Sequence, residues 1–180
     1  MMLPVKARVR TIWREMHQRC TPGSFAQKSR PRYKGCSVAE DFQEFLPFYS
    51  WYCNQIGSDQ FGYHLDKDLK IQGNKVYSAA TCFLLPAQLN TFFVACDSAR
   101  GEYPQGVTLY RSGKFQASIS SLGRKKFLGY YDTPELAATA YEAAKVEEIK
   151  NWIKWLQDGL FPVNPEVIVA LQNRIGASNE

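Results

Sequence analysis

Between Lys114 and Ser120 the sequence alternates without a break. Phe115, Ala117 and Ile119 fall on one side of an extended chain, and Lys114, Gln116, Ser118 and Ser120 on the other. Ser112-Gly113 precedes the run and Leu122-Gly123 follows it, both turn signals. The run is therefore expected to be the middle strand of a three-stranded antiparallel sheet, with the third strand over Lys125–Tyr131. Phe127 and Leu128 are expected to join the buried side, and Gly129 to permit close backbone approach. Thr133-Pro134-Glu135 then opens a helix with a capping hydroxyl, a proline at the first position and an acid in the first turn. Ala137, Ala138, Ala140, Tyr141, Ala143 and Ala144 give that helix a small-residue face on which a sheet can lie closely. Burying the Phe115 side against it leaves the Lys114 side facing solvent.

That solvent side is electropositive. From Tyr103 to Tyr131 there are five basic residues, Arg111, Lys114, Arg124, Lys125 and Lys126, and no acid. The whole chain carries only +5, so the charge is arranged rather than merely abundant. Up to Lys34 there are nine Lys or Arg against Glu15 alone, whereas from Gly35 to Arg100 seven acids outweigh four bases. Segregation of this kind points to a polyanionic partner, a nucleic acid, rather than to general stickiness, and double-stranded DNA is the partner that the resemblances below imply. No apolar run approaches the roughly 20 residues that span a bilayer. The basic N-terminus lacks a signal peptide's apolar core, so no membrane partner and a cytoplasmic location are expected. Five cysteines (Cys20, Cys36, Cys53, Cys82, Cys96) without a CxxC pair read as buried free thiols, with a zinc site at Cys20 and Cys36 as the lesser alternative.

Upstream, Val9, Ile12, Trp13 and Met16 recur at helical spacing within Lys6–Arg19, with Arg8, Arg10 and Arg14 off the stripe. The proline- and glycine-containing stretch that follows is expected to be an irregular basic loop. Ser37–Asn54 reads as an aromatic-striped helix (Phe42, Phe45, Tyr49, Tyr52) that Pro47 kinks or splits. Tyr63–Leu69 alternates as a strand that places His64, Asp66 and Asp68 on one face. Gln72-Gly73-Asn74 is a turn, Lys75–Tyr77 a second short strand, Ser78 caps a helix or turn running through Cys82, and a helical stretch follows from Pro86 to about Phe93. Strand, turn, strand and helix make a ββα outline.

This segment, with WREMHQRC, YKGCSV and the aromatic helix before it, resembles the phage HNH (His-Me finger) homing-type endonuclease family over about Thr11–Phe93. The resemblance implies a ββα finger that holds a divalent metal, Mg²⁺ or a similar ion, and hydrolyses DNA phosphodiesters. Asp66 stands at the family's metal-ligand position, Asp68 is a candidate second ligand, and Thr81 falls where the family has Asn or His. Lys67 stands at the position of the general base, so His64 is the candidate replacement, and Asn74 matches the central Asn that orients the base. An ordinary lysine is protonated near neutral pH and abstracts no proton. That departure raises a second expectation: a non-catalytic or inhibitory DNA-binding protein that keeps the finger as a scaffold.

The later segment resembles the plant ethylene-response-factor (APETALA-type) DNA-binding domain from about Pro104 to Ala144. The resemblance rests on Gly106-Val107, Ser112-Gly113-Lys114-Phe115, Ala117, Ile119, Leu128-Gly129, Tyr131-Asp132-Thr133, Glu135, Ala137-Ala138 and Ala140-Tyr141. It implies a sheet whose outward side chains meet the DNA major groove. Lys114, Gln116, Ser118, Ser120 and Lys125 sit at outward or contact positions, with Arg111, Arg124 and Lys126 as phosphate contacts. Thr108 and Tyr110 stand where the plant domains often place arginines.

The expected architecture is α+β: an N-terminal helical region with a ββα finger (1–94), a linker (95–102), the sheet-and-helix domain (103–157) and a C-terminal connector with a short helix (158–180). Ile149, Trp152, Ile153 and Leu156 continue the long helix at core spacing, and a homodimer or protein partner through the C-terminal helices is expected.

Overall fold

A computed structural model describes residues 5–93 and 102–176, so the expected linker lies outside the described residues except for Glu102. The fold is α+β and separates into two compact units, Met1–Pro86 with Pro162–Val167, and Ala87–Phe161 with Ile168–Glu180.

In the first unit, α1 (Lys6–Cys20) turns its apolar stripe inward, with Val9 and Met16 fully buried. The basic loop contains a short helix, α2 (Phe25–Ser29), capped by Ser24 Oγ accepting from Gln27 N, and a 3-10 turn over Pro31–Tyr33. Ser37–Asn54 is not one helix. It begins as β1 (Ser37–Val38), continues as α3 (Glu40–Gln43) and resumes as α4 (Phe45–Cys53). The break falls at extended Glu44, while Pro47 sits in the first turn of α4, where its missing N–H costs nothing. The break lets Phe42, Phe45, Phe48 and Tyr52 all reach one core. Fully burying each of these large side chains is worth about 1.5–3 kcal/mol. Trp13 Nε1 donates to Phe42 O at 2.9 Å, tying α1 to the end of α3.

The hairpin expected between Tyr63–Leu69 and Lys75–Tyr77 does not form. β2 (Tyr63–Asp66) instead pairs antiparallel with β4 (Phe83–Pro86), Leu65 opposite Leu84. β3 (Val76–Tyr77) pairs parallel with β1, Ser37 opposite Val76. All four β4 residues are buried, so β4 is the partner that removes most apolar surface from water. Ser78–Cys82 is a turn, not a helix, closed by Cys82 N donating to Ser78 O at 3.0 Å.

The second unit holds α5 (Ala87–Phe93), the sheet β5 (Val107–Leu109), β6 (Phe115–Ser121) and β7 (Arg124–Tyr131) in that spatial order, and α6 (Pro134–Gln157). Thr133 Oγ1 accepts from Leu136 N at 3.3 Å and caps α6. Val107, Ala117 and Ala137 form the centre of the interface between sheet and helix. Farther along α6, Ile149, Trp152 and Leu156 are buried, and Trp155 packs on Trp152 at 5.2 Å between ring centres. α7 (Glu166–Gly176) carries buried Val167, Ala170 and Leu171.

Candidate functional site

The residues that the sequence nominates fall in two places: β2 and β3 with the loop between them and the turn that follows, and the β5–β7 sheet with its turns.

The loop is organised by a buried ammonium. Lys67 is only 3% exposed. Its Nζ donates to Asp68 Oδ1 at 2.5 Å and to Asn74 O at 2.6 Å, and it lies 5.6 Å from the centre of the Tyr77 ring. Asn74 reciprocates: its Nδ2 donates to Lys67 O at 2.8 Å and to Val76 O at 2.7 Å, while its Oδ1 accepts from Val76 N at 3.1 Å. Asp66 Oδ1 accepts from Asp68 N and Leu69 N, an Asx-type turn that bends the chain out of β2. Burial outweighs those two hydrogen bonds and raises the Asp66 carboxyl above its usual range. Thr81 Oγ1 donates to Val76 O at 2.8 Å and bonds Ser78 Oγ at 2.9 Å.

Each side chain expected at the metal site is already hydrogen-bonded within this segment. Asp66 is held by backbone donors, Asp68 by the Lys67 ammonium and Thr81 by Val76 and Ser78. Among the described residues no three His, Cys, Asp or Glu side chains converge as a metal-ligand group. His64 is exposed on β2; partial burial, then the Arg19 guanidinium, hold its imidazole below the ordinary value. The Cys20 and Cys36 thiols form no disulfide, and burial first, then Cys36, pushes the Cys20 thiol up to about 11. Much of the N-terminal basic charge also serves the fold. Arg8 donates to Gln60 O and Tyr52 Oη, Arg10 lies 4.1 Å from the centre of the Phe45 ring, and Arg19 pairs with Glu15.

The sheet face is built differently from its simple alternation. Ala117 pairs with Gly129, but Ser118 pairs with Phe127, so Leu128 is an extra residue in β7 and the register shifts there. Gly129, at φ +142, accommodates the bulge. Phe127, expected inside, is 53% exposed. Ser118, expected outside, is 8% exposed, with its N–H donating to Gly106 O at 2.9 Å. Ser118, Ser120 and Lys125 line one side of a cleft of about 670 Å³ that also takes in Gln105, Gly106 and Tyr141.

Comparison with protein-family models, with curated proteins and with solved structures finds no match to this chain.

The row Thr108–Gln116–Tyr130 lies on the outer side of the sheet, since the adjacent row Val107–Ala117–Gly129 faces the core. Tyr130 is flanked by Tyr110 at 4.8 Å and Phe127 at 4.9 Å between ring centres. Arg111, Lys114, Arg124, Lys125 and Lys126 are all exposed. Lys114 meets Asp132 at 3.1 Å, a solvent-exposed pair worth little to stability. The aromatic trio was not legible as a group: the regular alternation stops at Ser120 and leaves the face of Phe127 unmarked, and only the glycine in Phe127-Leu128-Gly129-Tyr130 signals a bulge. Among the described residues no helix is long and apolar enough to cross a membrane.

Proposed function

We propose that this chain binds DNA through the outer face of the β5–β7 sheet, and that the segment around Asp66, Lys67 and Asn74 is a non-catalytic scaffold. The observation that carries the binding half is the sheet's exposed cation set, Arg111, Lys114, Arg124, Lys125 and Lys126, with no acid from Tyr103 to Tyr131. Such a surface gains affinity by releasing counterions from the phosphate backbone. The scaffold half is supported by the hydrogen bonds that already hold Asp66, Lys67, Asp68, Asn74 and Thr81 in that segment. A lysine whose Nζ donates to a carboxylate and to a carbonyl is placed to tie a turn together rather than to accept a proton.

A plasmid-nicking assay with Mg²⁺ or Mn²⁺ tests the scaffold half. The wild type is expected to bind the plasmid and leave it supercoiled. Metal-dependent nicking that disappears in Asp66→Asn and His64→Ala would overturn the scaffold reading and establish a metal-dependent endonuclease. Asp66→Asn is the informative variant because its amide oxygen keeps the acceptor for Asp68 N and Leu69 N, so the turn survives.

A further inference from the structure

The outer face of the sheet is more than basic. Tyr110, Tyr130 and Phe127 are 38%, 45% and 53% exposed and form one continuous aromatic strip across β7 and the end of β5. The interplanar angles of 43° and 59° leave the rings tilted rather than stacked flat upon each other, so each presents surface to solvent. Two features show that the strip is built into the sheet. The Leu128 bulge turns Phe127 outward, at the cost of a broken ladder, and Tyr110 N donates to Lys114 O, fixing the tyrosine at the turn that closes the β5–β6 hairpin. Gln116, between Thr108 and Tyr130 in the outward row, adds an amide that can donate and accept.

Exposed large apolar side chains in mutual contact need a partner to justify their hydration cost, and the surrounding charge limits what that partner can be. With Arg111 next to Tyr110, Lys114 bonded to it through the backbone, and Arg124 and Lys126 exposed on the same strand as Phe127 and Tyr130, the complement is an anionic chain that also carries flat apolar groups. Bases inside an intact duplex offer the grooves only their edges. Unpaired bases offer their faces, and aromatic side chains interleaved with cations are the usual way to hold them.

We propose that this face is a stacking platform for single-stranded DNA, with Tyr110, Phe127 and Tyr130 taking successive unpaired bases and the surrounding cations taking the phosphates. This rests on the nucleic-acid reading above and sharpens it from a charged surface to a preference for unpaired strands.

The test uses the full chain and fluorescence anisotropy with three probes: a thymidine strand of about 20 nucleotides, a strand of that length with abasic sites through its centre, and a duplex. The thymidine strand is expected to bind at least about 10-fold tighter than the abasic strand and tighter than the duplex. Phe127→Leu and Tyr130→Leu, both at exposed positions, are each expected to lose about 10-fold on the thymidine strand while changing abasic and duplex binding by less than about 3-fold. Unchanged thermal midpoints confirm that the variants fold. Equal affinity for thymidine and abasic strands, or equal losses by the variants on all three probes, overturns the stacking platform. If the wild type binds the duplex more tightly than the thymidine strand, the platform falls while DNA binding stands. If no probe binds, both fall together.

Discussion

Lys67→Met is expected to lower the free energy of unfolding by about 2 to 3 kcal/mol. Methionine keeps most of the buried stem but removes the ammonium, so packing is largely preserved and the loss isolates the charge. Without it the Asn74 carbonyl loses its donor at 2.6 Å, and Asp68 loses the cation at 2.5 Å. Asp68 is 53% exposed in its side chain and recovers water, so most of the cost falls on the half-buried Asn74 carbonyl and the turn built on it. Urea denaturation of both proteins measures this directly. A change under about 0.5 kcal/mol, usual for surface positions, would show that the ammonium holds nothing together. The same clamp explains why replacing the expected histidine by lysine is not a small change. A histidine supplies a proton acceptor, whereas this lysine supplies a fixed positive charge to the loop around it.

Gly106→Ala is expected to cost more, about 3 to 5 kcal/mol in the second unit. Gly106 has φ +78, in the left-handed region, and an added Cβ would fall 2.0 Å from Cδ2 of Tyr141. The ring cannot simply swing away, because Tyr141 is 5% exposed and belongs to the helix face that receives the sheet. Backbone strain and overpacking therefore add, and both act where Ser118 N bonds Gly106 O. Thermal denaturation followed by circular dichroism is expected to show loss of the sheet-and-helix unit at a much lower temperature. A matched Gly113→Ala, also at positive φ but with nothing within 4 Å, separates the steric part from the conformational part.

The features that the sequence announced are those set by local chemistry. The start of α6 at Thr133-Pro134-Glu135 is encoded by three adjacent residues, and the β6–β7 hairpin by alternation between glycine turns. The Leu128 bulge escaped because one inserted residue shifts the register of everything before it, setting Phe127 opposite Ser118, and no alternation in the sequence marks the insertion. The β1–β3 pair escaped for another reason. It joins two residues on each side that are far apart in the chain, and no local period marks two-residue strands. In the loop after β2, the sequence nominates Asp66 as a metal ligand and Lys67 and Asn74 as catalytic positions, and the structure joins Lys67 and Asn74 by hydrogen bonds in both directions. Whether a lysine is buried and clamped or free in solvent depends on tertiary packing, which its neighbours in sequence do not encode.

Salt dependence of DNA binding tests the central claim most directly. Anisotropy titrations of a labelled DNA strand from about 50 to 200 mM salt, on the wild type and on Arg124→Gln/Lys125→Gln/Lys126→Gln, give the slope of log affinity against log salt. Affinity is expected to fall steeply with salt for the wild type, and the slope of the triple variant to be shallower by about 2 to 3, in line with the loss of three phosphate contacts. Binding indifferent to salt, or an identical slope in the triple variant, would contradict the assignment of this sheet as the DNA-binding face.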